Sequence, residues 1–71
     1  MKRFLIVIEK TKTGFSAYSP DVPGCIATAA NKAGVEKRIR EAIQFHIEGL
    51  RQEGYPVPDP KSYSSFVEVP A

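Results

Sequence analysis

Between Ser19 and Cys25 the chain reads Ser-Pro-Asp-Val-Pro-Gly-Cys, and no other segment has so few conformations open to it. Pro20 and Pro23 each fix φ and remove an amide donor. Ser19 and Val22 precede prolines and are pushed toward extended backbone. Asp21 can bond back onto nearby backbone as an Asx-type turn. Pro23-Gly24 suits the central positions of a type II turn, with Gly24 supplying the positive φ. The segment therefore reads as a rigid chain reversal, and the elements on either side must be neighbours.

The flanking residues read as strands. Arg3 to Lys10 places Phe4, Ile6 and Ile8 on one side and Leu5 and Val7 on the other. Both sides are apolar, the pattern of a strand buried on both faces and central in a sheet. Thr11-Lys12-Thr13-Gly14 is a turn, with Gly14 available for positive φ. Phe15 to Ser19 alternates as a second strand, with Phe15, Ala17 and Ser19 on one side. Cys25 to Ala30 reads as a third, weaker strand of mostly small residues.

Asn31 is a good N-cap for the helix that follows. Val35, Ile39, Ala42, Ile43, His46, Ile47 and Leu50 recur at helical spacing on one face. Glu36-Arg40, Lys37-Glu41 and Glu48-Arg51 can pair along the other, each for about 0.2–0.5 kcal/mol. Gly54 is a natural C-cap and Pro56 stops any continuation. Tyr55 to Pro60, with three prolines, reads as an extended linker, and Phe66 to Val69 as a last strand placed beside the first. The expected architecture is α+β in two layers: an antiparallel-type sheet of about four strands with one long helix, in the order β-β-β-α-β.

Seventy-one residues allow one domain, spanning 1–71. Domains this small have little core and are marginal alone. A single helix covers only one face of the sheet, so the apolar Leu5 and Val7 side needs another cover. Self-association into a dimer or larger homo-oligomer is the simplest, with Leu5, Val7 and Phe45 as candidate interface residues; the proline-rich tail is the other candidate cover. With 42% hydrophobic and 25% charged residues, disorder is excluded. One cysteine, Cys25, permits no internal disulfide. No apolar run approaches the roughly 20 residues of a membrane helix, and Phe4 to Ile8 is too short for a signal-peptide core. A cytoplasmic protein with no membrane association is expected.

The run Gly14-Phe15-Ser16-Ala17-Tyr18-Ser19-Pro20-Asp21-Val22-Pro23-Gly24-Cys25 resembles the HicB family of antitoxins, which show a glycine, an aromatic, small residues and Pro-Asp-hydrophobic-Pro-Gly-Cys. The similarity continues at Arg40-Glu41-Ala42-Ile43 and at Gly54-Tyr55-Pro56-Val57-Pro58. The resemblance implies a domain of degraded ribonuclease H fold. It implies homo-oligomers, and an antitoxin that inhibits a small mRNA-cleaving toxin of the HicA type. Phe15, Tyr18, Asp21, Pro23 and Gly24 are the candidate partner-binding residues. Three departures accompany it. The chain stops at Ala71, leaving no room for the C-terminal DNA-binding domain of many members, so direct DNA binding is not expected. Ala29, Ala30, Ala33 and Gly34 stand where the family usually has a glycine and acidic residues before and within the first helical turn. The net charge is +2 with a pI near 8.9, whereas an inhibitor of a basic toxin would be acidic and steered by charge.

Other chemistries leave weaker signals. Ribonuclease H catalysis needs converging carboxylates around two metal ions. Glu9, Asp21, Glu36, Glu41, Glu48 and Glu68 show no such spacing, so no metal, no cofactor and no enzyme activity are expected. Cys25 and His46 could meet as a nucleophile pair, but a small buried cysteine after a turn is the simpler reading. Lys37, Arg38 and Arg40 could meet phosphate, the basis of an alternative reading as an RNA-binding or residual nuclease domain. A solvated helix face is the simpler account. A self-assembling domain with an unidentified partner is the third reading.

Overall fold

Apolar residues alternate through the first part of the chain and then recur at helical spacing, and the backbone follows. The computed structural model describes all 71 residues. In chain order they form β1 (Val7–Lys10), β2 (Phe15–Tyr18), β3 (Ile26–Ala29) and α1 (Lys32–Gln52). The sheet runs β1-β2-β3 with both pairs antiparallel. Its register stacks Ile8, Ala17 and Ala27 in one row and Val7, Tyr18 and Ile26 in the next. Because side chains alternate across a strand, these rows lie on opposite faces. The Ile8-Ala17-Ala27 face meets the helix.

The core is small: Ala17, Val22, Cys25, Val35, Ile39 and Ile43 are buried, with Phe4, Ile6, Ile8, Phe15, Ala27, Ala29 and Ile47 packed around them. Ala17, with no side chain beyond a methyl group, is buried in the same core as Ile39 on the face of β2 toward the helix. Val22 comes from the turn rather than from a strand or the helix, and it is fully buried. The proline-bounded reversal thus supplies core as well as direction. Two successive turns build it, with the Val22 amide donating to the Ser19 carbonyl at 3.3 Å and the Cys25 amide to the Val22 carbonyl at 3.4 Å. Gly24 takes a φ of 87°, as the type II reading requires.

The helix ends where its caps are written. The Asn31 side chain accepts from the Gly34 amide at 2.7 Å. At the other end Gly54 adopts φ 76°, its amide donating to the Arg51 carbonyl at 3.2 Å and that of Tyr55 to Leu50 at 2.9 Å. That pair of bonds is a Schellman closure.

Several expectations are corrected. The first strand lies at the edge of the sheet, not its centre, and its ladder begins at Val7 rather than Arg3. The last pair of the ladder is Val7 with Tyr18, and beyond it Pro20 has no amide to donate. The Ser19 hydroxyl takes over, donating to the Leu5 carbonyl at 2.9 Å. There are three strands rather than about four, because residues 66–69 form no ladder with β1. The three helix ion pairs are not made; the ion pair present joins Lys2 to Asp59 at 2.9 Å. Exposed pairs gain little against the entropy of fixing two long side chains, so their absence leaves the helix to its packed face.

Gly14 does not use a positive φ. Its requirement is steric: a Cβ there would collide with the Ala29 carbonyl oxygen and crowd the Ala30 Cα. Gly49, inside α1, has open space around its missing side chain. Urea denaturation should therefore separate the two. Gly14→Ala is expected to destabilise by about 1–3 kcal/mol through overpacking. Gly49→Ala should stabilise by about 0.5–1 kcal/mol through helix entropy.

Candidate functional site

The reversal after β2 is where the chain converges. Ser19, buried, holds the chain before β1. Val22 and Cys25 enter the core. Asp21 points the other way and holds the tail: its carboxylate accepts from the Lys61 amide at 2.9 Å, the Ser62 amide at 2.8 Å and the Ser62 hydroxyl at 3.0 Å. The expected Asx-type bond to nearby backbone is replaced by this longer-range one. The Ser62 amide above all, then the Lys61 amide and the Ser62 hydroxyl, hold the Asp21 carboxyl below its ordinary value of 3.8, against a partial desolvation that works the other way. Lys2 acts likewise on Asp59.

The candidate partner-binding residues do not form one patch. Phe15 is half-buried against the core on the helix side of the sheet. Tyr18 lies exposed on the opposite face, in a row with Val7 and the exposed Ile26. Pro23 and Gly24 are exposed at the tip of the reversal, and Asp21 is engaged with the tail. Leu5 and Val7 are half-buried; the proline-rich tail leaves Tyr18 and Ile26 on that face exposed. Phe45 projects from the flank of α1.

Exposed apolar residues gather instead on two sides of the helix. On the β3 side, Ile26, Phe45 and Tyr55 surround a cleft of about 490 Å³ beside Gly24, His46 and Leu50. On the β1 side, Phe4, Ile6, Ile39, Ile43, Ile47 and Val57, with Lys2, Arg40 and Glu48 among the polar residues, line a groove of about 550 Å³. The groove exists because α1 packs over β3 and β2 and leaves β1 with little cover. The Ile26-Phe45-Tyr55 grouping was not foreseen, although Ile26 as the one large apolar residue of the third strand, and Phe45 beside the apolar helix stripe, were its signals.

The polar candidates separate in space. Arg38 donates to the Thr28 carbonyl at 2.9 Å and so ties α1 to β3. Arg40 rims the β1-side groove. Two residues apart on a helix, they point to opposite flanks, and with the exposed Lys37 they make no single phosphate-facing surface. Cys25 and His46 border the same cleft. Burial raises the Cys25 pKa, and its Sγ lies 3.9 Å from the Ala42 carbonyl oxygen, so it behaves as a packed thiol. No three His, Cys, Asp or Glu side chains gather as metal ligands, and no helix is long and apolar enough to cross a membrane.

This architecture has solved counterparts. The chain is 42% identical to the structure of "Antitoxin HicB3", with a TM-score of 0.69 over 80% of this chain and 42% of that one. It is 40% identical to a chain of the "HicA3 and HicB3 toxin-antitoxin complex", with a TM-score of 0.65 over 82% of this chain and 72% of that one. Residues 4–71 match the family described as HicB_like antitoxin of bacterial toxin-antitoxin system. The chain belongs to this HicB-like antitoxin family. A 14.9 kDa protein from the rep-hol intergenic region of Haemophilus phage HP1 (strain HP1c1) is 32% identical over 65 residues, covering 92% of this chain and 49% of the phage protein. This chain thus spans about half the length of that relative, and less than half of the HicB3 antitoxin. The α+β fold expected from the strand and helix patterning and the antitoxin family expected from the resemblance are both borne out, with one strand fewer in the sheet.

The Asp21 clamp gives this HicB-like chain a pH signature. A carboxyl held below its ordinary value stabilises the structure fully above about pH 4, and that contribution disappears as pH falls through the depressed value. Amide hydrogen exchange should show Lys61 and Ser62 protected at neutral pH and losing protection below 3.8. Asp21→Ala should remove that protection at every pH while leaving the helix amides unchanged.

Proposed function

We propose that this domain is the toxin-binding part of an antitoxin, and that its partner is a small mRNA-cleaving toxin of the HicA type, held in the cytoplasm in an inactive complex. The observation that carries the reading is the exposed apolar cleft between β3 and α1, where Ile26, Phe45 and Tyr55 stand beside Gly24 at the end of the rigid reversal. Aromatic side chains around a preformed hollow are the usual anchors of a protein interface. The similarity to a chain of a toxin-antitoxin complex supports the same partner class. Of the candidates read from the sequence, Gly24 borders this surface directly, and Tyr18 stands exposed beside Ile26 on the sheet. With a net charge of +2, recognition of a basic toxin relies on apolar contact rather than on charge steering. The domain acts by occupying the toxin, without chemistry of its own.

Co-expression with the product of the adjacent gene tests the reading. A small basic ribonuclease should co-purify and lose activity. Phe45→Asp and Tyr55→Ala should each weaken the complex by about 2 kcal/mol or more, roughly 30-fold in Kd. Retention of full affinity by both variants, or a neighbour that neither cleaves RNA nor binds, would overturn it.

A further inference from the structure

The cleft between β3 and α1 differs in charge from the rest of the surface. The chain carries ten Lys and Arg against eight Asp and Glu, yet no Lys or Arg lines this cleft, and Glu53 is its one carboxylate. The β1-side groove, by contrast, takes Lys2, Arg40 and Arg51 together with Glu36 and Glu48. Arg51 is the basic residue of the last helical turn. It borders that groove and leaves the cleft flank of the same turn without a cation. Arg38, about two turns before Phe45 along the helix, is engaged with the Thr28 carbonyl.

The end of α1 adds to this polarity. A helix carries partial negative charge at its C-terminus, and Gly49, Gln52 and Glu53 of that end border the cleft. The closing turn satisfies the Leu50 and Arg51 carbonyls. The Gln52 carbonyl would take its helical bond from residue 56, a proline with no amide. A free acceptor and a carboxylate thus belong to a hollow whose other walls include Ile26, Leu50 and the exposed rings of Phe45 and Tyr55. Gly49 leaves room on the helix side, with nothing within 4 Å of where a Cβ would stand. Glycine inside a helix costs stability, and here it keeps the hollow open.

We infer that this cleft takes an arginine side chain of the toxin, an inference that rests on the toxin reading above. The aliphatic stem lies against Ile26 and Leu50. The guanidinium stacks on an exposed ring, Phe45 or Tyr55, and donates to the Glu53 carboxylate and the Gln52 carbonyl. Arginine suits the hollow better than lysine, because its planar group can stack and fork toward a carboxylate at once. One such contact reconciles a chain of net charge +2 with a basic partner. Long-range steering is absent, and the matched pair acts only at contact distance.

Two measurements test it. The first is an amide NMR titration of the full chain with N-acetyl-arginine amide and with N-acetyl-citrulline amide, which has nearly the same shape and no charge. Signals of Gly49, Glu53 and Tyr55 should shift with the arginine compound and stay in place with citrulline. The second is the Kd of the complex with the small basic ribonuclease encoded beside this chain. At low salt Glu53→Gln should weaken it by about tenfold, and the difference should shrink as salt is raised. Glu48→Gln removes the same charge from the other flank of α1 and should leave the Kd unchanged. Equal effects of the two variants, citrulline binding as well as arginine, or arginine shifts confined to other surfaces would each overturn the inference. A native chain that binds no ribonuclease would overturn the toxin reading, while the arginine titration decides the chemistry of the cleft on its own.

Discussion

Everything in this fold leans on the seven residues from Ser19 to Cys25. Two prolines and a left-handed glycine leave the segment little freedom, so its order costs little entropy on folding. What it does with that order is more than turn the chain. Ser19 bonds Leu5 just before the β1 ladder begins, Val22 and Cys25 complete a core of only six buried apolar residues, and Asp21 holds the tail forty positions away. Remove the reversal and the sheet, the core and the tail each lose an attachment.

The helix follows from that frame. It has one apolar face and one sheet face to cover, and it lies over β2 and β3, where Ala17, Ala27 and Ala29 allow close approach. The small residues of β3, unpromising as strand formers, are what lets α1 settle there. The consequence is asymmetry. Both flanks of the helix retain apolar surface, one bordered by the Pro23-Gly24 tip and one by the β1 edge. A domain with two such flanks is suited to meeting two partners at once, and its small core makes that association a contribution to its stability as well as to its role.

Much of this was legible in the residues. Period-two alternation marked β2, helical spacing with Asn31 and Gly54 as punctuation marked α1, and Pro23-Gly24 marked the type II turn. Those signals are local, and local chemistry decides them. What escaped was long-range. Nothing near Asp21 indicates that its carboxylate meets residues 61 and 62, and nothing near Gly14 reveals the Ala29 carbonyl pressed against it. The doubly apolar first strand implied a central position because it needs two neighbours. The chain supplies only one, and the strand sits at the edge. Arg38 and Arg40 looked like one basic cluster in a row of residues and part to opposite flanks on a helix. Leu5 and Val7 were placed correctly on the face away from the helix, but the exposed grouping of Ile26, Phe45 and Tyr55 depends on how β3 and α1 meet.

The account assigns the cleft between β3 and α1 to a toxin. Native mass spectrometry of the domain co-expressed with the small protein encoded beside it tests that assignment most directly. An assembly that contains both proteins is the predicted result. The absence of any complex would contradict the antitoxin reading itself.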